Sequence, residues 1–332
     1  MIHNRTIQPI FEYSNLIRMK PYLQDTEPSY LFKSGRHSLF YALSRIKSVY
    51  KKDHIILLPE LICDEIIPII EYLNIKIIYY KVLDNLQPDY DSIKANLDQN
   101  NSILLIVNYF GFPSNWDRIR RIKNEFGCIV IEDNAHTIDG KYNNKYLGSF
   151  GDVSFNSIRK ILPLLSGSKL NINDNVLGKT PCKSETRLPS ASELAYSLRQ
   201  FNIFHFKLNK KKETKSTNEK LMYKPADILS KFIYNNVKFD VKSISKKRRE
   251  NYIFWDKYLK DKDLVLFDDL HLNLDHSCPY VFPCSPKSKK DVSRWIEWGR
   301  LNKINIISWP KFPKSVNQDK LSPVFKNLIL FP

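Results

Sequence analysis

The chain has 332 residues, 42% of them hydrophobic and 26% charged, an ordinary globular composition with room for two domains. No apolar run approaches the roughly 20 residues that cross a bilayer, and Met1–Thr6 lacks the apolar core of a secretion signal, so a cytoplasmic protein without membrane insertion is expected. Lys plus Arg number 52 against 35 Asp plus Glu, a net charge of +17 that would suit an anionic ligand.

The first half alternates two kinds of segment. Continuous apolar, β-branched runs at Ile55–Leu58, Lys76–Tyr80, Ile103–Val107 and Cys128–Ile131 read as strands buried on both faces. Helical patterns at Ser38–Val49, Asp64–Leu73, Asp91–Leu97 and Trp116–Glu125 flank them. This βαβ rhythm predicts a three-layer α/β domain with a parallel sheet. Around Gly140–Phe155 the chain turns often, with Asn143-Asn144 and Gly148 as hairpin candidates. Beyond residue 179 Lys, Ser, Thr and Asn dominate until Ala226–Val237. A helix over Lys246–Leu259, strands at Leu264–Phe267 and Tyr280–Phe282, a helix over Lys289–Lys303 and a strand-like Ile304–Ser308 complete an α+β pattern. The domains expected are 1–178, a connecting segment 179–238, and a small C-terminal α+β domain 239–332.

Cys63, Cys128, Cys182, Cys278 and Cys284 are scattered, odd in number and without a Cys-x-x-Cys pair. Neither a metal site nor a disulfide framework is expected, and the thiols should be reduced. Two basic clusters stand out, Lys207–Lys215 and Lys246–Arg249, but neither interleaves the aromatics and glycines of an RNA-binding platform. Nucleic acid is not the expected ligand.

Ligands of open α/β sheets bind beyond the carboxyl ends of the strands. Pro59, Asn108 and Glu132-Asp133 stand there. Asp133 and His136 fit a carboxylate aimed at a ring nitrogen with an imidazole beside the ring, although a helix cap and a packed histidine are the plain alternatives. Ser34-Gly35-Arg36 precedes a helix and reads either as an ordinary N-cap or as a phosphate cradle. Lys160, beside Arg159, is one lysine among many or a Schiff-base amine whose pKa neighbouring cations lower; Ser157 would add a hydroxyl to a phosphate.

In this order the pieces resemble the fold-type-I pyridoxal-phosphate (PLP) enzymes, and more narrowly the DegT/DnrJ/EryC1/StrS family of sugar aminotransferases. The matching stretches are Phe32–Leu39, Leu57–Cys63, Asn108–Gly111, Ile131–His136, Gly148–Asp152 and Ser157–Pro163; fainter ones are Lys247–Tyr252, Pro279–Pro283, Ile304–Trp309 and Leu328–Pro332. The resemblance implies a fold-type-I large domain with PLP as cofactor. Ser34, Gly35, Arg36 and Ser157 would hold its phosphate, Asp133 its ring nitrogen, and His136 would lie near its phenolic oxygen. Asn108 and Cys63 would line the cofactor, Cys63 standing where many relatives place a stacking aromatic. Lys160 would form the internal aldimine and shuttle protons. Ser166-Gly167-Ser168 stands where relatives usually have a glycine pair. The expected partners are an amino donor and a nucleotide-linked keto sugar, in a homodimer serving surface-polysaccharide or related sugar biosynthesis. Two alternatives stay open on the sequence: a PLP enzyme of another reaction type, and a catalytically degenerate scaffold or binding protein.

Overall fold

The computed structural model describes residues 31–178, 186–191, 193–194, 224–237 and 239–332. Its centre is a seven-stranded sheet, made of β1 (Leu31–Phe32), β2 (Ile55–Pro59), β3 (Lys76–Tyr80), β4 (Ser102–Val107), β5 (Ile129–Asn134), β8 (Val153–Asn156) and β9 (Ser168–Ile172). Their spatial order is β1-β9-β8-β5-β4-β2-β3. The five strands from β8 to β3 are parallel, while β9 runs antiparallel to β8 and to β1. Every residue of β4 and β5 is buried, as continuous apolar strands require when helices cover both faces.

The expected elements are present with shifted ends. Helix α1 (Gly35–Tyr50) begins three residues before the expected Ser38 and buries Leu39, Ala42, Leu43 and Ile46. The second expected helix is a 3₁₀ turn, Asp64–Ile66, running into α2 (Ile67–Tyr72). The third is only Tyr90–Lys94 (α3), capped by the Asp89 carboxylate. Helix α4 (Trp116–Phe126) buries Trp116, Ile119 and Ile122; Asn115 accepts the Arg118 N–H at its start and Gly127 closes it at φ 60°. Asn143 and Asn144, both at positive φ, make the tight turn between β6 (Lys141–Tyr142) and β7 (Lys145–Tyr146).

Past residue 224 the chain forms α5 (Ile228–Asn236), α6 (Val241–Leu259) and a four-stranded antiparallel sheet ordered β10-β11-β13-β12. Its strands are β10 (Leu264–Leu266), β11 (Phe282–Pro286), β12 (Ile307–Ser308) and β13 (Ile329–Phe331), with α7 (Lys289–Leu301) against it. The strand expected at Tyr280–Phe282 starts two residues later, because Tyr280 gives its N–H to Phe110 O (2.8 Å) instead of to a ladder. Likewise Ile304 spends its N–H on Gly299 O, closing α7, so β12 is shorter than expected. The basic cluster Lys207–Lys215 lies outside the described residues. In the other cluster Arg248 and Arg249 turn inward, donating to Tyr280 O and Ser277 O, both at 2.9 Å. Among the described residues no helix is long and apolar enough to cross a membrane.

Residues 277–280 therefore cross directly over the loop after β4. Gly111 makes this approach possible: it sits at φ +96°, and a Cβ there would lie 2.3 Å from Cys278 O. Gly111→Ala should cost roughly 3 kcal/mol, combining backbone strain with an overpacked contact. Urea unfolding would show it as a lowered midpoint; an unchanged midpoint would mean that the two segments are not tightly docked.

Candidate active site

Three neighbouring strand ends converge on one place. Val107 pairs with Asp133 and Asp133 with Phe155, so Asn108, Asp133 and Ser157 emerge side by side at the carboxyl edge of the sheet. There a cavity of about 690 Å³ is lined by Ser34, Gly35, Arg36, Cys63, Asp133, Ser157 and Lys160, seven of the nine residues singled out in the sequence. Side chains on either side of a strand point in opposite directions, which separates two consecutive acids. Asp133 faces the cavity. Glu132 turns away and is fully buried, accepting hydrogen bonds from the N–H groups of Gly148 (2.6 Å), Phe150 (3.1 Å) and Gly151 (3.4 Å) and the amides of Asn134 (3.0 Å) and Asn108 (3.3 Å).

Asn108 and His136 are the two expected site residues whose side chains do not line the cavity. The Asn108 amide is spent on Asn134 Oδ1 (2.7 Å) and Glu132, and its oxygen accepts the Ser114 N–H (2.9 Å). His136 lies one layer deeper, stacked between Phe110 (5.6 Å between centroids) and Tyr280 (5.2 Å). Burial, with Lys160 adding to it, holds the imidazole well below its usual pKa and therefore neutral. Phe110 N–H points at its Nδ1 at 3.3 Å, which puts the ring proton on Nε2.

Lys160 ends a 3₁₀ turn, Ile158–Lys160, after β8, and its ammonium lies 5.4 Å from the Tyr280 ring centroid. Burial first, and Arg159 second, push its pKa down, while Cys63, Asp133 and Glu65 oppose the shift. Cys63, the N-cap of the Asp64–Ile66 turn, is held to about 11 by burial and stays a neutral thiol. Asp133 Oδ1 accepts the Ala135 N–H at 2.8 Å, so it is not the helix cap the sequence allowed. Burial raises its pKa from 3.8 to about 6, with the Ala135 N–H and Lys160 opposing. Ser34 occupies the N-cap of α1 without capping it: its hydroxyl is bonded to His37 Nδ1 instead (2.9 Å).

The serines flanking Gly167 explain why this turn dispenses with a glycine pair. Ser166 Oγ is hydrogen-bonded to the Asp227 carboxylate, Ser168 Oγ to Ser38 Oγ (2.7 Å), and Gly167 N–H to Lys33 O (3.0 Å). No local pattern announces the cavity's outer wall, Lys33, Glu193 and Lys224. Glu193 is clamped by Arg187 and Ser190; burial pushes its pKa up, but those hydrogen bonds prevail and hold it at about 2. Lys33 and His37 flank the Ser34-Gly35 turn without a local pattern to mark them, and Glu193 and Lys224 come from distant segments.

The family model that matches residues 26–175 is that of the DegT/DnrJ/EryC1/StrS aminotransferase family. Among solved structures, Helicobacter pylori PseC, an aminotransferase involved in the biosynthesis of pseudoaminic acid, is similar over 98% of this chain and 92% of its own, with a TM-score of 0.67 at 15% identity. A putative sugar aminotransferase from Streptococcus pneumoniae, in its PLP form, is similar over 99% of this chain and 93% of its own, with a TM-score of 0.65 at 14% identity. DesI, solved in the presence of its TDP-sugar product, is similar over 100% of this chain and 88% of its own, with a TM-score of 0.59 at 13% identity. At these identities the likeness is one of fold, the fold-type-I aminotransferase architecture expected from the sequence.

Because its carboxyl group is raised, Asp133 binds its proton more tightly folded than unfolded. Its contribution to stability is complete below about pH 4 and is lost as the pH rises through about 6. Relative to Asp133→Asn, which stays neutral, the chain without added ligand should lose on the order of 3 kcal/mol between acid and neutral pH. Urea unfolding of both proteins across that range measures this; parallel curves would contradict a buried Asp133.

Proposed function

We propose, for a chain whose residues 26–175 belong to the DegT/DnrJ/EryC1/StrS aminotransferase family, that the cavity binds PLP and transfers an amino group to a nucleotide-linked keto sugar. The observation that carries this reading is the joint placement of Lys160, Asp133 and the Ser34-Gly35 end of α1 around one cavity. The donor set suits the cofactor. Arg36 Nε is buried without a hydrogen-bond partner among the described residues, and the N–H groups of Gly35 and Arg36 open the helix, so a phosphate would satisfy groups otherwise left unpaired. Ser157 would add its hydroxyl. Asp133 would face the ring nitrogen, and Lys160 the aldehyde.

PLP, when bound, supplies an electron sink for charge developing at the substrate carbon. The chain's own groups prepare for it. Burial lowers the Lys160 pKa and so raises the fraction of free amine at neutral pH, letting Nζ take a proton from the substrate and return it. Asp133 Oδ2, which accepts no hydrogen bond among the described residues, would hold a proton on the ring nitrogen through a charge-assisted hydrogen bond. The buried setting of Asp133 lowers the local dielectric and would strengthen that interaction.

Lys33, Arg159 and Lys224 at the cavity rim suit a phosphate-bearing substrate, and PseC and DesI, by their descriptions, act in sugar chemistry. Glutamate as amino donor, and a role in surface-polysaccharide or related sugar biosynthesis, belong to the same reading. So does a homodimer, for which Ile228, Leu229 and Phe232, exposed on α5, offer an apolar face. Cys63, a small neutral thiol in place of a stacking aromatic, favours one alternative: a chain that binds PLP without turning over.

The half-reaction with glutamate separates the two. The PLP-loaded protein should convert to the pyridoxamine-phosphate spectrum, Lys160→Ala should not, and Asp133→Asn should slow the single-turnover rate about a hundredfold, the loss of roughly 3 kcal/mol in the transition state. An unconverted wild type would support the binding-only alternative, and a wild-type rate in Asp133→Asn would remove Asp133 from the mechanism.

A further inference from the structure

Ser34 breaks the usual habit of its position. At a helix start a serine hydroxyl ordinarily accepts a hydrogen bond from the second or third N–H. Here the side chain caps nothing, and its oxygen lies 2.9 Å from His37 Nδ1, one turn along α1. His37 is itself buried (3% exposed) and forms part of the same cavity wall. A neutral imidazole can share this hydrogen bond in two ways. If Nδ1 accepts, the Ser34 proton is consumed within the protein. If Nδ1 carries the proton, Ser34 Oγ is the acceptor and its own proton is free to point into the cavity.

We propose that His37 is a positioning residue, its Nδ1–H donating to Ser34 Oγ so that the Ser34 hydroxyl donates to the phosphate of the cofactor. The inference rests on the PLP reading above and adds a residue outside the expected set. The surroundings favour this arrangement. An anion held at the start of α1 accepts hydrogen bonds and offers none, so it rewards the orientation in which Ser34 donates. Burial, with Arg36, Lys33, Lys224 and Arg187 nearby, holds the imidazole at about 3, so it stays neutral at physiological pH and adds no charge of its own. Its contribution is to direct a single proton.

Binding of PLP and of pyridoxal, which lacks the phosphate, tests this without any turnover. Both aldehydes reach Lys160, but only PLP uses Ser34. His37→Leu should weaken PLP about tenfold and leave pyridoxal within twofold, whereas a merely structural role would weaken both alike. His37→Asn, whose amide can supply an N–H at the branch position of Nδ1, should restore PLP binding. In a Ser34→Ala background His37→Leu should have no further effect. Equal losses for the two aldehydes, an unweakened PLP affinity, or additive losses in the double variant would overturn the role of His37. A wild type that binds neither aldehyde would defeat the cofactor reading itself, and the proposal with it. The ring nitrogen shifts of ¹⁵N-labelled His37 in the PLP-bound protein should report the Nδ1–H tautomer; the Nε2–H tautomer would contradict the proposal.

Discussion

Two adjacent carboxylates at the end of a fully buried strand set the terms for everything around them. A buried carboxylate is costly unless hydrogen-bonded or neutralised, and Glu132 and Asp133 meet that demand in opposite ways because a strand points them to opposite sides. Glu132 is saturated by three backbone N–H groups and two amides, which tether the Gly148–Gly151 turn beneath β5. Asp133 receives one N–H and the field of Lys160, and remains under-satisfied at a cavity floor. The first acid builds the site; the second is left available for a ligand. Such an asymmetry is the usual mark of function against structure.

The segment from Phe110 to Gly111 and the segment from Cys278 to Tyr280 join the C-terminal part of the chain to this floor. Phe110 sits at φ 55°, a strained value for a large side chain, and its ring covers one face of His136 while Tyr280 covers the other. Tyr280 in turn carries Lys160 over its ring, and Arg248 holds the Tyr280 carbonyl from α6. The orientation of Lys160 thus depends on residues more than a hundred positions away in sequence. Arg248 and Arg249, which look like part of a solvated basic run, work as half-buried clamps.

Much of this was legible in the sequence, and the reasons differ by residue. The parallel strands were readable because double-sided burial leaves unbroken apolar runs such as Ile103–Val107. Asp133 and Ser157 were readable because ligands gather where such strands end, and Lys160 because its amine follows within four residues of β8. The ends of elements were harder, since Tyr280 and Ile304 give their N–H groups to tertiary partners that no local pattern announces. An aromatic stack and the needs of Glu132 turn the side chains of His136 and Asn108 away from the cavity, which no local pattern announces. His37 escaped notice because a histidine inside an amphipathic helix carries no local signal; only its distance to Ser34 gives it one.

In the proposed reaction the Lys160 amine is the group that meets the cofactor's aldehyde. Incubation with PLP, reduction with borohydride and peptide mapping by mass spectrometry tests it most directly, because the chain offers many competing lysines. One reduced pyridoxyl group per chain is expected, on the peptide containing Lys160, and none there in Lys160→Ala. Labelling spread over surface lysines, or a stoichiometric adduct on any other lysine, would contradict it.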